Sequence, residues 1–108
     1  MNLPTEVFGD VVVVHTMEEL GSDQADEFLQ FVRELEQQKV VIDLDHTETL
    51  DSAGLTALLD AQDALRESDG DAKIATKNHG NNKILEITRL DQHLDVFDSV
   101  IDAVKSFC

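Results

Sequence analysis

The chain has 108 residues, enough for one domain and too few for two, so residues 1–108 are predicted to form a single domain. Its 42% hydrophobic content predicts a packed core, and 23 acidic residues against 8 basic ones give a formal net charge of -15 at pH 7. A surface this acidic repels phosphate backbones and anionic headgroups, so neither nucleic acid nor a membrane surface is expected as a partner.

The cysteine content and the N-terminal segment argue against several other protein classes. Cys108 is the single cysteine, so no disulfide can form within the chain and no CxxC motif exists. The first ten residues lack the basic and apolar regions of a signal peptide. No apolar stretch approaches the ~20 residues that span a bilayer. We therefore expect a cytoplasmic protein.

The first half of the chain predicts a hairpin, a helix and a strand. Residues 6–8 and 11–15 are predicted strands joined by a turn at Gly9-Asp10, because glycine readily adopts the positive φ of such turns. A helix is predicted to start at residues 21–23. The apolar residues after this start repeat with helical spacing: Ala25, Phe28, Leu29, Val32 and Leu35. Residues 39–44 form a continuous apolar run, typical of a central strand.

The second half predicts three helices and two strands. Asp51-Ser52 is predicted to open the second helix, and Gly70 to serve as its C-cap. Residues 72–76 are a predicted strand, 81–88 a short helix and 94–97 an edge strand, with Asp98-Ser99 capping the last helix. Strands separated by helices favour parallel pairing through right-handed crossovers. The predicted fold is therefore α/β, a mixed sheet of four or five strands with an N-terminal hairpin and about four helices packed on it.

Ser52 is the most informative residue, because it begins a helix directly after a polar loop. Its hydroxyl can cap the helix by accepting a backbone N–H, a role worth about 1 kcal/mol. Alternatively, it can carry a phosphate, since the free N–H groups and positive dipole end of a helix start tolerate an anion. Gly54 in the first turn is expected to leave the surroundings uncrowded. A phosphate beside Asp51 would then act on whatever docks there.

This stretch resembles the STAS family, the domain shared by sulfate transporters and anti-sigma factor antagonists. The family's hallmark is Asp-Ser-x-Gly-Leu at a helix start after an acidic loop, matched here by Asp51, Ser52, Gly54 and Leu55. The resemblance continues through residues 56–59, 84–91 and 96–99, and so covers nearly the whole chain. It implies a STAS fold in the element order read above.

The resemblance also implies a function. Anti-sigma factor antagonists bind an anti-sigma factor, often a serine kinase, and so release a sigma factor; the kinase phosphorylates the motif serine and a phosphatase restores it. Carried over, the phosphorylated residue is Ser52, and Ala53 leaves no second candidate beside it. Glu19 stands in for an acid that contributes to partner binding in the family. The implied partner-binding residues are Glu19, Asp51, Ser52, Gly54, Leu55 and Thr56. We expect no enzyme activity, no cofactor and a monomer or weak dimer.

The alternative within the family is a STAS subunit with a constitutive structural role in a sensory assembly or a lipid- or anion-transport complex. In that case Ser52 is only a cap. Acyl carrier proteins also place a serine after aspartate at a helix start, but they are all-helical, and the predicted strands argue against them. A response-regulator receiver needs an acidic pair after its first core strand and a lysine after its last, and both are missing.

Two polar segments are assigned no site. Asp43, Asp45, His46 and Glu48 lack the convergent spacing of a zinc or calcium site, so a solvated loop without metal is expected. Residues 78–82 are expected to form a turn rather than a phosphate-binding loop.

Overall fold

Twelve elements of regular secondary structure follow one another in the computed structural model, which describes residues Met1–Cys108. They are β1 (Thr5–Phe8), β2 (Val11–His15), β3 (Glu19–Leu20), α1 (Ala25–Arg33), β4 (Lys39–Asp43), β5 (Thr49–Leu50), α2 (Ser52–Arg66), β6 (Asp71–Ala75), α3 (His79–Ile87), a 3-10 turn (Leu90–Gln92), β7 (Val96–Phe97) and α4 (Val100–Lys105). The predicted α/β class, the hairpin and the four helices are confirmed.

The main sheet has five strands in the order β1-β2-β4-β6-β7. β1 pairs antiparallel with β2 through a turn in which Gly9 has a φ of 63°, as the hairpin prediction requires. β2, β4, β6 and β7 are parallel neighbours connected by helices. The carboxyl ends of these strands therefore lie at the same end of the sheet, where ligands bind in many open α/β sheets.

Helices cover both faces of the sheet, which explains why the strands are apolar without alternation. On one face α1, α2 and α3 contribute to a core of 18 buried residues that includes Phe28, Leu58 and Leu85. On the other face α4 closes a smaller cluster, in which Ala103 packs with Val13 and Val41. None of the helices has the length and apolar character needed to cross a lipid bilayer.

Two short strands were not predicted. β3 and β5 pair in parallel and form a separate two-stranded sheet, with Glu19 opposite Thr49 and Leu20 opposite Leu50. Each follows a strand of the main sheet by a few residues, so this second ladder joins the two connections that leave the carboxyl ends of β2 and β4. Two-residue strands carry no periodicity, and the sequence pattern could not reveal them.

Three local predictions need correction. α1 begins at Ala25 rather than at residues 21–23, which form turns before it. Residues 78–82 are not a turn but the start of α3, where the Asn78 side chain accepts the Asn81 N–H at 3.1 Å. Gly70 is not the C-cap of α2. The left-handed residue there is Asp69, with a φ of 63°.

Candidate functional site at the start of helix α2

The N-terminus of α2 is capped by Asp51. Its backbone is extended, with φ -96° and ψ -177°, and its carboxylate accepts the Gly54 N–H at 3.0 Å. The other carboxylate oxygen accepts the Ser22 N–H at 3.2 Å, which ties the start of α2 to the turn before α1. The Gly54 N–H holds the pKa of Asp51 below its usual range, against the opposing effect of burial, and the Ser22 and Ala53 N–H groups lower it further.

Ser52 is the first residue of α2 and is exposed, but it does not cap the helix. The prediction that its hydroxyl could supply the cap was wrong, because the preceding carboxylate occupies that role. The Ser52 hydroxyl makes no hydrogen bond within the protein, whereas its carbonyl accepts the Thr56 hydroxyl at 3.0 Å. The first turn of α2 contains no acidic residue. The hydroxyl therefore points at solvent from a helix start that favours negative charge.

Gly54 is tightly enclosed, contrary to the expectation of uncrowded surroundings. A Cβ at this position would lie 2.0 Å from the carbonyl oxygen of Leu20, in β3. Only a residue without a side chain allows the first turn of α2 to approach the β3 backbone so closely. The glycine thus brings the helix start against the strand that carries Glu19.

The structure brings the six predicted partner-binding residues into one region. Glu19 is exposed on β3, next to the Leu20 carbonyl that contacts Gly54. Thr56 is exposed one turn into α2, while Leu55 is half-buried and packs against the core. Beside them a shallow groove of about 230 Å³ runs between α1 and α2, with Ala53 and Thr56 on its α2 side. Together these residues form an open surface at the start of α2, the α2 edge, rather than an enclosed pocket.

A buried polar network that sequence reasoning missed supports this edge from below. Asn81 donates through its Nδ2 to the carbonyls of Leu44 (3.1 Å) and Thr47 (2.8 Å). Thr47, which has no exposed surface, donates to the Met17 carbonyl at 2.6 Å and contacts the Thr16 hydroxyl. These bonds hold together the connections after β2 and β4 and the start of α3. Asn81 lies among other polar residues in the first turn of α3, so no signal in the sequence indicated that this side chain is buried.

The carboxylates of Asp43, Asp45 and Glu48 were expected to lie in a solvated loop. For Asp43 this expectation was wrong, because the residue is only 5% exposed. One of its oxygens is 2.7 Å from Nδ1 of His15, and the other accepts the Asp45 N–H at 3.0 Å. Nε2 of His15 is 2.7 Å from a carboxylate oxygen of Glu6. Burial lowers the pKa of His15, but the hydrogen bonds to Glu6 and Asp43 outweigh it, so this pKa lies above its ordinary value. No group of three or more His, Cys, Asp or Glu side chains is placed to hold a metal ion.

Comparison with solved structures finds the same fold in proteins of low sequence identity. An anti-sigma factor antagonist from Mycobacterium paratuberculosis is 22% identical, with a TM-score of 0.81 over 97% of this chain and 92% of that one. A sulfate transporter family protein from Wolinella succinogenes is 15% identical, with a TM-score of 0.80 over 94% of this chain and 87% of that one.

A third similar structure is the anti-sigma factor antagonist SpoIIAA of Bacillus, 13% identical to this chain. In its unphosphorylated form it has a TM-score of 0.78, over 98% of this chain and 96% of that one. In its phosphorylated form the TM-score is 0.67, over 99% of this chain and 100% of that one.

No curated protein matches the sequence. Residues 2–103, by contrast, match the family model described as the STAS domain. This match spans the sheet, α1 to α3, the first four residues of α4 and the Asp51-Ser52 helix start, which accords with the resemblance noted from the sequence. The chain belongs to the STAS domain family.

Proposed function

We propose that this chain is an anti-sigma factor antagonist that binds an anti-sigma factor of the serine-kinase type, and that phosphorylation of Ser52 switches the binding off. The observation that carries the proposal is that Asp51 and Ser52 have different roles at the start of α2. Asp51 supplies the cap, and the exposed Ser52 hydroxyl is left without a structural role. A kinase can modify such a hydroxyl without removing a bond that the fold needs.

The charges around Ser52 support the direction of the switch. A phosphate adds a charge of about -1.5 to -2, in a region that already holds Asp51 and the exposed Glu19. A partner surface that fits the unmodified serine would have to take a dianion out of water without new hydrogen-bond donors, which is costly. The free N–H groups of the helix start tolerate the same phosphate within the unbound protein. Binding is therefore lost while the fold is retained.

The comparisons support a partner of this type. Two of the similar structures are anti-sigma factor antagonists, and one of them has a phosphorylated form. By this analogy the chain acts in the cytoplasm as a non-enzymatic single domain of residues 1–108, and is a monomer or weak dimer. A phosphatase removes the phosphate and restores binding. The partner contacts are assigned to Glu19, Asp51, Ser52, Leu55 and Thr56. The buried Gly54 contributes indirectly, by packing the start of α2 against Leu20.

A second function is kept because a sulfate transporter family protein shares the fold. Here the chain is a constitutive structural subunit of a sensory assembly or of a lipid- or anion-transport complex. The exposed edge at α2 then serves as a permanent contact, and the state of Ser52 has no influence on it.

The deciding experiment is a titration of the cognate serine-kinase anti-sigma factor with unmodified and phosphorylated protein. We expect the unmodified protein and Ser52→Ala to bind, and the phosphorylated protein to bind at least tenfold more weakly. Ser52→Asp should weaken binding in part, because aspartate carries less charge than a phosphate. Ser68→Asp is the matched control, since Ser68 is an exposed serine beyond the opposite end of α2. Equal affinities for both forms would leave the structural-subunit function.

A further inference from the structure

The cluster of Glu6, His15 and Asp43 joins three strands of the main sheet through side chains alone. His15 lies on β2, between Glu6 on the edge strand β1 and Asp43 on the central strand β4. The His15 ring contacts a carboxylate oxygen through each of its nitrogens, both at 2.7 Å. This cluster is separate from the α2 edge and has no role in the proposed function.

The geometry requires a protonated ring. A carboxylate only accepts hydrogen bonds, and a neutral imidazole carries one N–H, so it can donate to one of the two partners but not to both. Two contacts of this length therefore describe an imidazolium that donates to Glu6 and Asp43 simultaneously. The raised pKa of His15 agrees with this reading.

No other charged group competes for His15. On the face of the sheet that it shares with α4, that helix presents an apolar surface of Val100, Ala103 and Val104, and its charged residues Asp102 and Lys105 are exposed. The Asp45 carboxylate accepts the Lys77 N–H at 2.6 Å. Lys73 points to Ser106, and Lys39 pairs with Asp10 at the far end of the strands. The protonation of His15 is thus set by Glu6 and Asp43.

The two carboxylates differ in how they respond when the proton is lost. The Asp43 side chain is 6% exposed, and one of its oxygens is fixed by the Asp45 N–H. Glu6 is 57% exposed and can turn into water. A neutral His15 therefore keeps its N–H on Asp43. Its other nitrogen then presents a lone pair to Glu6, and this lone pair repels the Glu6 carboxylate. We propose that Glu6, His15 and Asp43 form a proton-dependent clasp that fastens the edge strand β1 to the sheet and releases it when His15 is deprotonated.

The clasp has a definite pH window. Because folding raises the pKa of His15, its contribution is complete below the pKa of a free histidine, about 6.5, and is lost as the pH rises through the folded value. β1 is a four-residue edge strand whose residues are all exposed, so few other side-chain contacts hold it. At a pH above this window, β1 is held mainly by its backbone hydrogen bonds to β2. β1 should then open more often while β4 stays protected.

The test combines two measurements on the whole protein and needs no partner, so its outcome is independent of the proposed function. Imidazole 15N shifts followed by NMR should show both His15 nitrogens protonated at about pH 5.5, with a midpoint above the value of about 6.5 for a free histidine. Amide exchange should show protection of the Thr5–Phe8 amides falling as the pH passes that midpoint. Each unit by which Glu6 raises the midpoint, measured as the difference between the parent and Glu6→Gln, corresponds to a tenfold loss of protection.

Three variants make the result decisive. His15→Gln should abolish the pH-dependent step in β1 protection, and Glu6→Gln should lower the His15 midpoint while leaving the fold intact, since Glu6 is largely exposed. His46→Gln is the matched control, an exposed histidine that should leave the step unchanged. A His15 midpoint at or below 6.5 would overturn the clasp. So would β1 protection that is the same on both sides of the midpoint.

Discussion

Gly54 and Leu20 meet so closely that a Cβ on Gly54 would lie 2.0 Å from the Leu20 carbonyl oxygen. The two residues are far apart in the chain, one in the first turn of α2 and the other in β3. Their contact places the exposed Ser52 and the exposed Glu19 on one edge of the molecule. The glycine of the Asp-Ser-x-Gly-Leu motif is therefore required for the packing that brings the two sides of the α2 edge together.

The close contact predicts that Gly54→Ala destabilises the protein. Helix propensity alone favours alanine over glycine by about 1 kcal/mol. The clash of the new Cβ with the Leu20 carbonyl oxygen opposes this gain. Overpacking of this kind typically costs about 1–3 kcal/mol, so we expect a net loss of stability. Urea unfolding of the two proteins should show a lower midpoint for the variant. A variant more stable than the parent would mean that β3 can move away from the helix.

Ser52→Ala is expected to leave stability nearly unchanged, within about 0.5 kcal/mol. The reason is that the Asp51 carboxylate, not the Ser52 hydroxyl, accepts the N–H of the first turn. Thermal and urea unfolding measure this directly. A loss of about 1 kcal/mol, the usual worth of a cap, would show that the hydroxyl caps the helix after all.

Asp51→Asn tests how the negative charge of the cap contributes to the free energy of unfolding, because this contribution depends on pH. The lowered pKa of Asp51 means that the charged form is favoured in the folded state. Its contribution is present above the unfolded value, near 3.8, and is lost as the pH falls through the lower folded value. Asparagine can still accept the Gly54 N–H but has no charge. The difference in stability between the two proteins should therefore shrink on acidification from pH 7 to below the folded pKa. A constant difference would contradict the assignment.

Asn81→Ala is expected to destabilise the protein by about 1–3 kcal/mol, because the Thr47 carbonyl loses its donor, whereas the Leu44 carbonyl still accepts the Thr47 N–H at 3.0 Å. Asn81 is 2% exposed, and its amide serves the carbonyls of both Leu44 and Thr47. Asn82→Ala is the matched control, because its amide makes one longer bond of 3.4 Å, to Thr76. Calorimetric unfolding of both variants compares them. Equal losses would mean that the buried network does not support the edge.

Much of the fold followed from local pattern. The β-branched run Val11–Val14 and the glycine before Asp10 predicted the hairpin, and the 3.6-residue repeat from Ala25 predicted α1. The motif from Asp51 to Leu55 located the candidate site and the family. These features are encoded within a few residues of one another, so a single sequence reveals them.

The tertiary structure decided what depends on residues distant in the chain. Asp51 bonds Ser22 across 29 positions, and His15 bonds Asp43 across 28. Neither pairing has a local signature. The second involves Asp43, which was expected in a solvated loop but is buried beside His15. A local signature is also missing for the β3–β5 ladder and for the Gly54 contact. The sequence by itself determined the hairpin, the strands of the main sheet, the four helices and which serine heads α2. Only the folded chain determined that Asp51 caps it and that Ser52 is left free, because hydrogen bonds and close contacts are assigned by neighbours in space.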